Sequence, residues 1–182
     1  MSTRRLTIVL MTAAIAATGA SLLPIWPQST AAVARSRYTP QEGDFSVSFP
    51  VEPVVDGRRA VNDDDSSFRT YVAADEGGAF AVRVDQFPQS IRAPALDKRT
   101  YELLLRNHAL ETSSRLLSIT PARLGGRAVL QGVFANKTGS EEHMRVLMVG
   151  RRVYQVSYTS AGGPAFAEAG AAFLDSFRSA GR

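Results

Sequence analysis

The stretch MRVLMVGRRVYQVSYTSAGGPAFAEAGAAFLDSF, Met144–Phe177, decides the fold. Val146 and Met148, then Tyr154, Val156 and Tyr158, recur at every second position on either side of Gly150-Arg151. That spacing predicts two antiparallel strands joined by a tight turn. After Gly162-Gly163-Pro164 the period lengthens. Phe166, Phe173, Leu174 and Phe177 form one apolar stripe, with Glu168, Asp175 and Arg178 on the other side, so a helix with an aromatic face to bury follows the hairpin. A sheet is the expected receiver.

Upstream the same two periods alternate. Residues 35–43 read as an extended lead-in, because Pro40 cannot donate to a ladder and biases Thr39 away from helix. Phe45, Val47 and Phe49 then alternate with Ser46 and Ser48, the pattern of a strand with one covered face, stopped by Pro50 and Pro53. Val54-Val55 and Ala60-Val61 flank Asp56-Gly57, which predicts a short edge hairpin. Phe68, Thr70 and Val72 alternate with Arg69 and Tyr71. After Glu76-Gly77-Gly78, Phe80, Val82 and Val84 alternate with Ala81, Arg83 and Asp85, up to Pro88. From Pro94 to about Thr112 the period is helical: Lys98, Glu102 and Arg106 make a polar stripe with a favourable Glu102–Arg106 pair. Tyr101, Leu103, Leu104, Leu105 and Leu110 wrap most of the remainder, so the helix is expected to be half buried. Leu116, Leu117 and Ile119 begin another strand that Pro121 is expected to interrupt. Gly125-Gly126 turns into a strand from Arg127 to Asn136, with Ala128, Leu130, Gly132 and Phe134 facing one way, and Gly139-Ser140 turns again. The order of strands, helix, strands and helix with tight turns predicts an α/β (α+β) domain: an antiparallel sheet of about six to eight strands with helices packed on it.

Composition sets the class. A 182-residue chain with 45% hydrophobic and 21% charged residues has room for one globular domain. Its formal charge of +4 falls to +2 once Arg4 and Arg5 are set aside with a leader that carries no acidic residue. The basic pairs Arg58-Arg59, Lys98-Arg99 and Arg151-Arg152 are too scattered for a nucleic-acid surface. Arg4-Arg5, the apolar run 6–23 and Ala32-Val33-Ala34 together make a signal peptide of residues 1–34 with cleavage after Ala34; the alternative is an uncleaved membrane anchor through residues 6–23. Export to the periplasm or extracellular space follows, with no membrane contact except through an uncleaved leader. The chain has no cysteine, which excludes a disulfide framework and a lipid-modified cysteine. Residues 44–179 must therefore fold on packing alone, as one domain and as a monomer.

No motif encodes chemistry. Asn62-Asp63-Asp64-Asp65 resembles a calcium loop only in its carboxylates, because the sixth and twelfth positions counted from Asp63 are Phe68 and Ala74 rather than glycine and glutamate. His108, on the Tyr101, Leu104 and Leu105 side of its helix, and His143, beside Glu141 and Glu142, are too far apart in sequence to set a zinc spacing. There is no nucleophile elbow, phosphate loop or dinucleotide fingerprint, and Gly77-Gly78, Gly125-Gly126 and Gly162-Gly163 read as turns. Glu42, Asp44 and Asp85 are the carboxylates least like surface residues, and Asp97 reads as a helix cap. Tyr154 and Tyr158 share a face with Val156, which suits a core edge or a recognition surface, with the core favoured. No catalytic residue, cofactor or metal is expected.

Three motifs together resemble the PsbP-like family, which includes the extrinsic PsbP protein of photosystem II and exported bacterial relatives. They are Tyr38-x-Pro40-x-x-Gly43-x-Phe45-x-Val47-x-Phe49-Pro50, Gly125-Gly126-Arg127 before a strand, and the strand Val153–Tyr158 leading to Phe173-Leu174-Asp175-Ser176-Phe177. The resemblance runs from about Tyr38 to Arg178. It implies an α/β/α sandwich around an antiparallel sheet, and a domain that docks to a larger assembly rather than one that turns over substrate. The expected function is therefore an exported, non-enzymatic domain that binds a protein partner in the cell envelope. Arg151 and Arg152 at the hairpin tip and Tyr71 are the candidate partner contacts. The alternative is a carrier of a lipid or other small apolar ligand, held in a groove between the sheet and the first helix and walled by Tyr101, Leu105 and His108. Trp26 is the single tryptophan and lies in the leader. Protein purified from its exporting cell should therefore show no tryptophan emission, and a spectrum retaining it would rule out cleavage after Ala34.

Overall fold

The computed structural model describes residues 37–59, 67–75, 78–87, 97–160 and 164–180. The leader and its cleavage site, Ala60-Val61, the acidic loop 62–65, Pro88, Pro94 and Gly162-Gly163 lie outside the described residues. The elements run β1 (Arg37–Tyr38), β2 (Phe45–Ser48), β3 (Val54–Arg59), β4 (Ser67–Asp75), β5 (Gly78–Gln86), α1 (Lys98–Thr112) and β6 (Arg115–Leu124). They continue with β7 (Arg127–Ala135), β8 (Glu141–Val149), β9 (Arg152–Ser160), α2 (Pro164–Ser176) and β10 (Arg178–Ser179).

Seven strands pair in the order β3-β4-β5-β9-β8-β7-β6, all antiparallel, and a second sheet pairs β1-β2-β10. This is the α/β sandwich expected, with one addition. The strand carrying Phe45 and Val47 does not join the main sheet; it lies between β1 and β10 in the small one.

Each face of the main sheet has its own cover. On one face, α2 and the small sheet bury Phe45, Val47, Phe49, Phe173, Leu174 and Phe177 against Phe80, Val82, Tyr154, Val156 and Tyr158. Phe45 stacks on Phe177 at 5.7 Å, and Phe173 meets Phe49 at 5.1 Å and Phe80 at 5.2 Å. Such pairs add about 0.5–1.5 kcal/mol each beyond the area they bury. On the other face, α1 covers Leu130, Phe134, Met144, Val146 and Met148 with Leu105. Asp97 caps α1 by accepting the Thr100 N–H at 2.7 Å, and Ser113, in the left-handed region at φ 53, ends it.

Four sequence expectations are corrected. Asp56-Gly57 is not a turn: β3 runs straight through it, pairing Asp56 with Thr70 and Gly57 with Arg69, so the turn signal yields to a longer edge strand. Pro121 does not interrupt β6; it sits opposite Leu130 on the strand at the sheet's outer edge, the place where a sheet accommodates proline. On α1, Leu103 and Leu110 point away from the sheet, 54% and 78% exposed, because the face centred on Leu105 and His108 is the one that packs. Glu102 pairs with Lys98, one turn before it, at 3.6 Å rather than with Arg106.

Glycine sets how closely α2 approaches the sheet. A Cβ at Gly170 would overlap the Tyr158 ring at Cγ, Cδ2 and Cε2. In a free helix alanine stabilises relative to glycine by about 1 kcal/mol. At this position Gly170→Ala should instead destabilise by about 1–3 kcal/mol through overpacking, read as a lower urea midpoint; an unchanged or higher midpoint would mean that α2 does not sit on Tyr158.

Candidate functional site

The hairpin tip is built by its rungs. Val149 and Arg152 close the β8–β9 ladder around the two-residue loop Gly150-Arg151, with Gly150 at φ 59, a conformation that glycine adopts without a Cβ penalty. Phe87 and Arg151 then extend the β5–β9 ladder by one step: the Phe87 N–H donates to the Arg151 carbonyl at 2.9 Å, and Arg151 Nε donates to the Phe87 carbonyl at 3.3 Å. Arg151 Nη2 is buried and has no hydrogen-bond partner among the described residues. Arg152 turns the other way, donating from Nε to Gln86 Oε1 at 3.0 Å and pairing through Nη1 with Asp44 Oδ1 at 2.7 Å. Asp44 is itself tied down, since its carbonyl accepts from the Tyr154 hydroxyl at 3.3 Å and from the Ala180 N–H at 2.8 Å. Arg152 therefore fastens the tip to the small sheet.

Tyr71 is not part of that surface. Only 3% exposed, it packs edge-on against Phe45 at 5.1 Å and beside Tyr38 at 5.8 Å, and burial raises its hydroxyl above the usual phenol range despite Arg69 nearby. The alternation along β4 is legible, but which parity faces the aromatic layer is not, because both faces of the sheet are covered. Tyr71 and Ala73 point to the α2 side, and Phe68 meets Arg83 at 4.6 Å from the ring centre on the other.

Tyr101, Leu105 and His108 do share one face of α1, and that face is filled by packing. Leu105 is fully buried, and a Cβ at Gly132 would meet its Cδ2 at 3.0 Å, so the helix rests directly on β7. His108 lies edge-on to Phe134 at 5.0 Å, with Nε2 at 2.9 Å from Glu142 Oε2. Both members of this pair are buried. The expected groove wall is a helix–sheet interface with one polar joint.

Two further polar clusters were not anticipated. Arg83 binds Asp85 through Nε at 2.9 Å and Nη2 at 2.7 Å, and Gln155 Nε2 donates to Asp85 Oδ2 at 3.1 Å. On the opposite face, His143 stacks on Tyr158 at 4.7 Å with the rings 5° from parallel, and its Nε2 lies 2.6 Å from Glu141 Oε1. Arg145, next on that face, donates to Gln131 Oε1 at 2.8 Å and pairs with Asp175 of α2. The period-two spacing of Glu141, His143 and Arg145 along β8 was the signal that would have found this row. The carboxylates singled out in sequence are all engaged: Glu42 with Arg69, Asp44 with Arg152 and Asp85 with Arg83. Among the described residues no three His, Asp or Glu side chains converge as ligands for a metal ion. No helix of the described residues is long and apolar enough to cross a membrane.

A seven-stranded antiparallel sheet between α1 and an α2-plus-small-sheet layer is the PsbP-like α/β/α architecture, and a solved structure of that class superposes on it. The cyanobacterial PsbP (CyanoP) from Synechocystis sp. PCC 6803, determined in solution, matches with a TM-score of 0.56 and 8% sequence identity, covering 83% of this chain and 96% of that one. At that identity the likeness establishes the fold. No protein-family model matches the chain, and no curated protein matches it.

Asp85 supplies a pH test of the buried network. Burial is the largest influence on its carboxyl and raises it above the ordinary carboxylate range, outweighing Arg83 and Gln155, which both pull it down. The folded state thus holds a proton more tightly than the unfolded state, so this group's contribution is greatest below about pH 4 and declines as pH rises through the raised value. Urea unfolding from pH 3.5 to 7 should show that decline in the wild type and a flatter profile in Asp85→Asn. Equal slopes would place the titration elsewhere.

Proposed function

We propose that this chain is an exported, non-enzymatic domain that docks to a protein partner at the cell envelope, with Arg151 at the β8–β9 tip as an anchoring contact. The observation that carries the reading is the PsbP fold, shared over nearly the whole length of the cyanobacterial protein. The state of the polar side chains supports it. His108 with Glu142, and Arg83 and Gln155 with Asp85, serve as joints between elements, an arrangement that stabilises a scaffold and commits these groups to one another. Arg151 differs from them in standing half-buried beside a two-residue loop at the hairpin tip, with a guanidinium of the kind that binds a partner's carbonyl or carboxylate.

The test is capture from envelope extract with the tagged protein and with its Arg151→Ala form, followed by mass spectrometry of bound proteins and lipids. One stoichiometric protein, retained by the wild type and depleted about tenfold or more by the substitution, is the expected result. A lipid without a protein would overturn docking in favour of a carrier. A protein held equally by both forms would keep the docking function and remove Arg151 from its surface.

A further inference from the structure

The large apolar side chains exposed among the described residues fall at the two ends of the main sheet: Val51, Val54 and Val55 by the β3 edge, and Leu103, Leu110 and Leu117 on α1 and β6. The second group is ordered. Successive residues of an α-helix step by about 100°, which places Arg99, Leu103, Arg106 and Leu110 within an arc of about 60° on the side of α1 opposite Leu105 and His108. All four are exposed. That arc contains no acidic residue. Glu102 lies just outside it and is engaged by Lys98 at 3.6 Å, and no ion pair among the described residues involves Arg99 or Arg106. The face therefore alternates cation and leucine along the axis, with the two leucines about 10 Å apart.

We propose that this outer face of α1 is a contact surface for an anionic lipid bilayer. Leu103 and Leu110 enter the headgroup boundary, and Arg99 and Arg106 hold phosphates beside them. The positive charge of the arc calls for a negatively charged partner, and its shape selects among such partners. A convex helix surface with arginine between two separated leucines offers no groove for a peptide. A soft, planar surface meets both leucines at once, while the long arginine side chains reach up to the phosphate level. Guanidinium also matches phosphate in bidentate geometry. Leu117, 45% exposed on β6, against which α1 packs, extends the apolar exposure at the same end of the sheet.

The absence of cysteine allows a single reporter to be introduced. Leu110→Cys in the full chain, carrying an environment-sensitive nitrobenzoxadiazole label, is titrated with vesicles of phosphatidylcholine and phosphatidylglycerol at about 2:1, and with phosphatidylcholine alone. The label reads α1 itself, so any binding through residues 6–23 does not mimic the signal. The expected result is a blue shift and brightening with anionic vesicles only. High salt should weaken it, and adding Arg99→Glu and Arg106→Glu should raise the lipid needed for half-response at least about tenfold. The same label at Val54→Cys, on the far edge, should not respond. Four outcomes would overturn the proposal: no response at position 110, an equal response at position 54, a response to neutral vesicles as strong as to anionic ones, or a label silent to lipid but protected by the protein captured through Arg151. The last would reassign the stripe to that protein. Failure here leaves the Arg151 capture result untouched, since the two surfaces are tested by different readouts.

Discussion

A strand covered on both sides must bring an apolar side chain, or a polar one with a partner, at every position. β9 is that strand, with Val153 through Tyr158 buried without a break. Tyr154, Val156 and Tyr158 feed the aromatic layer under α2, and Val153 faces α1. Gln155 and Ser157 are the non-aromatic polar members among them, and the Gln155 amide reaches Asp85, which Arg83 grips from the same strand as the carboxylate. Much of the remaining structure adjusts to this demand. α2 comes close enough to cover Tyr158 only because residue 170 has no side chain, and β5 carries an ion pair into a nearly dry position because its neighbour across the ladder supplies a third hydrogen bond.

The elements with one clear period were readable from the residues. The Phe45, Val47 and Phe49 alternation, the Gly150-Arg151 turn and the Phe173, Leu174 and Phe177 stripe each depend on local spacing, and each appears where that spacing puts it. What escaped was set by distant partners. Asp56-Gly57 has the chemistry of a turn, but pairing with β4 across the whole of β3 overrides it. Pro121 has the chemistry of a break, but only its neighbours' order in the sheet reveals that it sits on an edge. Tyr71 and the leucines of α1 show the same limit. A side chain's periodic position is local, whereas the choice of which periodic face is covered belongs to the packed molecule. The arginines at the tip were readable as a pair, yet their opposite bonding, one to Phe87 and one to Asp44, needed coordinates.

Seen as a whole, the polar groups of this sandwich divide by task. Those between layers are matched one to another and act as joints, as between His108 of α1 and Glu142 of β8, or Arg145 of β8 and Asp175 of α2. Breaking such a joint leaves a desolvated partner behind, which costs far more than an exposed pair contributes. Among the described residues, Arg99 and Arg106 on the outer side of α1 enter no ion pair. An architecture with its charges paired between layers is held firmly where those layers meet.

The small sheet adds a temporal property. β2 lies between β1 and β10, pairing Phe45 with Ser179, and its aromatic side chains rest on Phe173 and Phe177. Its partners on that side come from the far end of the chain. Closing that layer therefore joins segments separated by most of the described chain, the kind of long-range contact that slows folding. The contacts of β2 with β10 and α2 tie residues far apart in sequence into one layer, so that layer forms cooperatively.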